Sequence, residues 1–317
     1  MNHAVRFVIF QLVIIAPFGL GYFTKQRYAR PETVTKGIIR ANLTVVEPLI
    51  VFWSIWGLEM SMELWFLPLA GLLMVLAGLS IGAVLARIMR LKERSRATFI
   101  ISSSLANHGF TMGGFLCYLF LGERGLALSF IFISYFMPFI FLVIFPYARL
   151  VQTGARSRPT FIRDFVLNPQ NMPLYALTAA IILRMLGLVR PAVFFPIDIL
   201  LMISISLYYF TLGVNFTIRD LWAFNRDNVL LCLVRFLMVP ALAVIVLAST
   251  PLDAGIETVI LIEAFMPAAV YSVVAAVLFD LDAKRASSLF VFNTVVFLGC
   301  VLPALLLFRT ALLRYIA

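Results

Sequence analysis

The sequence predicts an all-α polytopic membrane protein of ten transmembrane helices, and three observations predict it. Hydrophobic residues fill 63% of the 317 positions, while charged residues fill only 13%, about half the share of a soluble domain. Mean hydropathy is +1.04. The apolar residues gather into successive runs of spanning length with short connectors between them. A bilayer-crossing helix needs about 20 apolar residues, so ten of them use almost the whole chain. No room is left for a water-soluble catalytic domain, and function must lie in or between the helices.

The runs fall at 6–23, 37–57, 66–86, 97–119, 126–148, 171–189, 194–216, 228–249, 256–278 and 287–308. The first lacks a small-residue cleavage site and carries heavier positive charge after it, at Lys25, Arg27 and Arg30, than before it. It reads as a retained helix with its N-terminus outside. With that orientation, the inner connectors Lys25–Lys36, Arg87–Arg96, Arg149–Asn168, Thr217–Asp227 and Asp280–Arg285 hold most of the 25 Lys and Arg. Glu59, Glu63, Glu123, Asp253 and Glu257 mark the outer loops. This asymmetry fixes orientation in the cell membrane and sets both termini outside the cytoplasm, although Arg309 and Arg314 mildly oppose it. It also explains the net charge of +10 without nucleic acid.

Run two carries Glu47, followed by Pro48, near mid-bilayer, where an ionised side chain costs about 2.5–3.5 kcal/mol. Its carboxyl is either satisfied by neighbouring backbone or Asn, or handles a proton. Run three is plainly apolar. Run four is a poor lipid-facing helix, with Ser102, Ser103, Ser104, Asn107, His108, Gly109, Thr111, Gly113 and Gly114. It either packs closely on another helix through small residues or is opened where it lines a cavity. His108 is a hydrogen-bonded core histidine or a proton-handling group. The long connector after run five bisects the chain.

The halves align at a shift of roughly 160 residues. Leu119-Phe120 and Glu123 answer Leu278-Phe279 and Asp282, while Pro138 and Pro303 match only with a gap. An odd number of helices per half requires the halves to be inverted. The domains are then a first five-helix repeat at 1–150, a cytoplasmic connector at 151–170 and a second repeat at 171–317. Arg235 in run eight lies near enough to the inside for its stem to snorkel, and stands second as an anion-attracting group. Run nine, the counterpart of run four, holds Glu263, Met266-Pro267 and Ser272. Proline deletes a helical hydrogen bond; alone it is an ordinary kink, but two interrupted segments at matching places point to a binding site.

Cys117, Cys232 and Cys300 lie inside apolar runs without metal-ligand spacing, and read as small buried side chains. Asp280-Leu281-Asp282 resembles the paired acids that hold metal-bound diphosphates, but beside Lys284 and Arg285 it reads as a solvated loop. No catalytic set, metal site or cofactor motif stands out. An intramembrane enzyme would need converging catalytic groups, and a membrane sensor or anchoring protein would not need breaks at repeat-related positions.

At these residues the chain resembles the auxin efflux carrier family in its compact microbial form, a group that also contains malate and malonate carriers. The resemblance covers nearly the whole chain. It rests on Asn107 with Gly109 and Gly113, on Leu167-Asn168-Pro169, on Leu212-Gly213, on Met266-Pro267 and on Pro303. It implies two inverted five-helix repeats whose broken helices four and nine cross where substrate binds, an elevator-like motion, and a homodimer. The family usually has a proline in the fourth helix; this chain has none between Thr98 and Gly122, and Gly113-Gly114 stands as the break instead. The expected function is secondary transport of a small organic anion across the lipid membrane. Asn107, His108, Gly109, Gly113, Gly114, Met266 and Pro267 are the substrate-binding candidates. Half-helix N-termini suit a carboxylate, and Glu47 and Glu263 are candidates for proton coupling.

Overall fold

The structure is a computed structural model that describes residues 3–28, 31–109, 112–154, 171–216 and 224–307. Leu167-Asn168-Pro169, most of the Arg149–Asn168 connector, and Arg309 and Arg314 lie outside the described residues. Among the described residues there is no strand, only one isolated antiparallel bridge between Ala106 and Ala268.

Among the described residues six helices are long and apolar enough to cross a membrane: Thr33–Trp56, Met62–Ile88, Gly113–Thr153, Ile197–Val214, Asn225–Ala248 and Ala283–Leu307. Three of the four runs missing from this set, four, six and nine, are missing for local reasons. Runs four and nine are each divided into short helices, Glu93–Ser104 before one gap, and Ala254–Ala264 and Val270–Leu278 around the other. Run six shortens to the 14 residues Met172–Met185. The second part of run four continues toward run five within Gly113–Phe132, divided only by the non-helical Gly122.

Four prolines shape the long helices in the same way. Pro48, Pro146, Pro240 and Pro303 each follow a π turn, at Asn42–Val46, Ile140–Ile144, Val234–Met238 and Phe297–Val301. A proline ring collides with the carbonyl four residues back and supplies no N–H. The turn widens, and the residue just before each proline donates five residues back, as Glu47 does to Asn42 O. Pro146 and Pro303 thus share one local geometry, whereas Pro138 sits in the short helix Phe136–Phe139.

The described chain packs as two compact units that do not follow the two halves of the sequence. The first comprises Met1–Met60, Phe110–Phe130 and Val166–Thr217. Within it the helix His3–Thr24 lies against Ile197–Asn215. Any Cβ at Gly213 would collide with the carbonyl of Phe18, and one at Gly21 with that of Phe210. The Leu212-Gly213 pair is thus a site of close backbone approach. Arg190 pairs with Glu123, donates from Nη1 to Trp53 O at 3.1 Å, and lies 4.9 Å from the Trp53 ring centroid.

The second unit comprises Ser61–Gly109, Ile131–Phe165 and Ile218–Ala317. Glu93–Ser104 packs on Phe66–Ile88, where Gly78 lets the Ser103 backbone approach and Ser104 Oγ donates to Val75 O at 3.1 Å. The small-residue packing expected of run four is therefore present in its first half. Polar ties join connectors within this unit. Asp253 N–H donates to Glu63 Oε2 at 3.0 Å, Arg94 pairs with Asp280 at 2.7 Å, and Ser95 Oγ donates to Asp282 Oδ2 at 2.8 Å. Asp280 is solvated as expected, with 71% of its side chain exposed. Asp282 is not simply a loop acid: it caps Ala283–Val296 by accepting from Arg285 N–H at 3.1 Å. Burial alone would raise its carboxyl, but the hydrogen bonds from Arg285 and Ser95 outweigh it and hold the group below the usual carboxylate range. Of the cysteines, only Cys117 is buried; Cys300 is exposed, because it lies on the outward face of its π turn.

Candidate functional site

The divided helix of run nine begins and ends at points that the sequence dictates. Asp253 starts Ala254–Ala264 by accepting from Gly255 N–H at 3.0 Å. Pro267 stops it, since it has no N–H for the carbonyl four residues back, that of Glu263. Glu263 O instead accepts from His108 Nε2 at 3.0 Å and from Met266 N–H at 3.2 Å. A carbonyl only accepts, so Nε2 carries the imidazole hydrogen and Nδ1 accepts from the Tyr135 hydroxyl at 2.8 Å. His108 is buried, edge-on to Phe132. It bridges two elements through both ring nitrogens.

The helix Glu93–Ser104 gives way to extended backbone at Leu105, and the two gaps then pair. Asn107 N–H donates to Pro267 O at 2.7 Å, and Ala269 N–H donates to Leu105 O at 3.0 Å. Gly109 has φ +66°, a conformation that costs side chains with a Cβ, and it turns its N–H onto Glu263 Oε1 at 3.3 Å. Ala268 N–H is taken by Asn293 Oδ1 at 2.7 Å, and Asn293 Nδ2 donates to Cys232 Sγ at 3.3 Å. Met266 O accepts both Nε and Nη2 of Arg235, at 3.1 and 2.9 Å.

Two atoms in this buried set have no hydrogen-bond partner, Glu263 Oε2 and Arg235 Nη1. The first turn of Val270–Leu278 adds backbone N–H groups, because Ala269 provides no side-chain cap. The paired segments thus combine anion-favouring donors with a buried carboxyl, in backbone that is not committed to a helix.

Of the substrate-binding candidates, Asn107, His108, Gly109, Met266 and Pro267 come together with Glu263 in this unit. Gly113 and Gly114 do not form the break. It lies earlier, from Leu105, where extended backbone and the positive φ of Gly109 suffice, and Gly113 begins the next helix in the first unit. Glu47 also belongs to the first unit. It is buried, neither carboxyl oxygen makes a well-formed hydrogen bond, and the Tyr208 hydroxyl stands beside it. Asn42, five residues earlier, donates to Ser204 Oγ at 2.9 Å.

Arg235 departs from the snorkelling expectation: it is 0% exposed and turned inward to the break. Its distance from the helix end carries no information on which face it occupies, and the π turn Val234–Met238 resets that face. Tyr135 and Asn293 were not among the sequence candidates. An Asn in an apolar run is a detectable signal; a Tyr among so many aromatics is not.

The sequence profile of a family described as membrane transport protein matches residues 5–305 of the 317. No curated protein matches the chain.

Proposed function

The chain belongs to the membrane transport protein family, that of the auxin efflux carriers, and from that premise we propose that it is a secondary carrier of a small organic carboxylate, working by alternating access. As a multi-pass membrane protein of a transporter family it has a small-molecule solute. The observation that carries the finer reading is the pairing of two interrupted helices, Leu105–Asn107 with Pro267–Ala269. Unwound backbone inside a membrane protein persists where it serves a site. The helix start at Val270 and the Arg235 guanidinium favour a carboxylate. The substrate contacts fall to Asn107, His108, Gly109, Met266 and Pro267.

Three features support two inverted five-helix repeats: Ala106 against Ala268, Glu93–Ser104 against Ala254–Ala264, and the π turns before Pro146 and Pro303. All fall at a shift of about 160 positions, the arrangement of carriers that alternate around a central site. Division into two packing units suits an elevator-like motion of one past the other, and the reading includes a homodimer. A panel of labelled mono- and dicarboxylates offered to proteoliposomes tests the function. Saturable uptake of at least one is expected; uptake of none, alongside saturable uptake of a cation or neutral solute, would refute the carboxylate reading.

In the cell membrane both termini are expected outside the cytoplasm. The polar ties join connectors assigned to the same side, Arg94 with Asp280 and Glu63 with Asp253. In a cysteine-free background, Ser61→Cys should react with an impermeant outside reagent and Lys92→Cys should not. The opposite labelling pattern reverses the orientation.

Proton coupling is assigned to Glu47 or Glu263. Each carries a buried carboxyl oxygen without a hydrogen bond, a costly state for a charge in a membrane unless the group is neutral for part of the cycle. Gln at the responsible position should abolish the response of uptake to an imposed pH gradient while substrate exchange continues. A wild-type pH response in both Glu47→Gln and Glu263→Gln would make these carboxyls structural.

A further inference from the structure

The last carbonyls of a helix lack N–H partners and carry partial negative charge. Where a helix is broken inside a membrane carrier, that carbonyl end commonly holds a mobile cation, a metal ion or a proton. Ala254–Ala264 ends in this way at the paired segments, yet the Met266 carbonyl just beyond it is already occupied. Met266 O accepts two guanidinium N–H groups of Arg235, at 3.1 and 2.9 Å, and the Arg235 side chain is 0% exposed. Arg235 comes from a π turn, a local widening that recurs at functional positions. Its Nη1 is buried without a hydrogen-bond partner, as is Glu263 Oε2 in the same unit, and the two residues form no ion pair.

We infer that Arg235 is a tethered cation that occupies the place of a mobile metal ion at the carbonyl end of the broken helix. A guanidinium is permanently charged and planar, and it satisfies a carbonyl through two N–H groups at once. A metal ion bonded to Met266 O would have to displace it, since two cations on one oxygen repel strongly away from water. The paired segments therefore keep their charge balance without sodium or potassium. The inference concerns the same segments as the transport reading, but it is tested without any substrate, so either can fail while the other stands.

The test is thermal melting of the purified protein in choline, sodium, potassium and lithium salts at equal ionic strength. The wild-type protein is expected to melt at one midpoint in all four; a saturable upward shift with any of the metal ions would overturn the inference. Arg235→Gly leaves a space of guanidinium shape, and its midpoint in choline should fall. Methylguanidinium should then restore at least half of the loss in a saturable way, with choline at the same concentration restoring none. Failure of methylguanidinium to restore the midpoint would reduce Arg235 to a packing residue. If Arg235→Gly does not yield folded protein, Arg235→Lys and Arg235→Met decide: the lysine variant should melt nearer the wild type than the methionine variant, and equal losses refute the tethered cation.

Discussion

His108→Leu is expected to lower the stability of the purified protein by about 2–4 kcal/mol, one of the larger losses available from a single side chain in the second unit. The imidazole donates to Glu263 O and accepts from Tyr135 at 3.0 and 2.8 Å. Leucine is close to histidine in volume, so packing against Phe132 is largely kept. What disappears is one bond to a carbonyl that Pro267 has already deprived of its helical partner, worth about 0.5–1.5 kcal/mol. The Tyr135 hydroxyl, on a buried residue, is left without its acceptor at a further cost of about 1–3 kcal/mol. Tyr135→Phe keeps the bond to Glu263 O and orphans only His108 Nδ1, and should cost less than His108→Leu. Unfolding followed by tryptophan fluorescence in detergent measures both variants. Equal stability of His108→Leu and the wild type would mean that the imidazole does not bridge the two broken helices.

The same pair of residues shows how much of the site could be read from the sequence. Pro267 was legible because its consequence is covalent: no N–H, hence no helical bond to Glu263 O, whatever surrounds it. The break in run four was legible as a polar, glycine-bearing stretch, but not its position. Gly113-Gly114 looks the weaker point for a helix, whereas the backbone departs at Leu105 and turns at Gly109, because pairing with Pro267 and Ala269 rewards extended backbone there. That reward comes from residues some 160 positions away and has no local signature. Arg235 and Asn293 belong to the site for the same kind of reason. Arg235 reads as a snorkelling cation if only its depth is counted, yet helix rotation aims it inward. The four prolines after π turns lie between these extremes: that each would disturb its helix followed from the ring, but a widened turn rather than a break depends on the neighbours that hold the helix together. The family was legible from the order and spacing of its motifs, and the profile match over residues 5–305 supports it. The two interleaved packing units were not, because a chain-order repeat does not say which helices touch.

Asn107 is where the account is most exposed. Its backbone N–H is fixed to Pro267 O at 2.7 Å, which sets the residue at the pairing point of the two broken helices, and its side chain is only partly buried. The amide can donate to a carboxylate oxygen, and losing a hydrogen bond to a charged partner costs about 1.5–3 kcal/mol, or roughly tenfold to a hundredfold in affinity. Alanine keeps the backbone N–H, so the pairing itself survives the substitution. The most direct measurement is equilibrium binding of the transported carboxylate to purified Asn107→Ala protein that melts as the wild type does. Affinity weakened tenfold to a hundredfold is the expected result; unchanged affinity would remove the paired segments from the substrate path and leave close helix packing as their role.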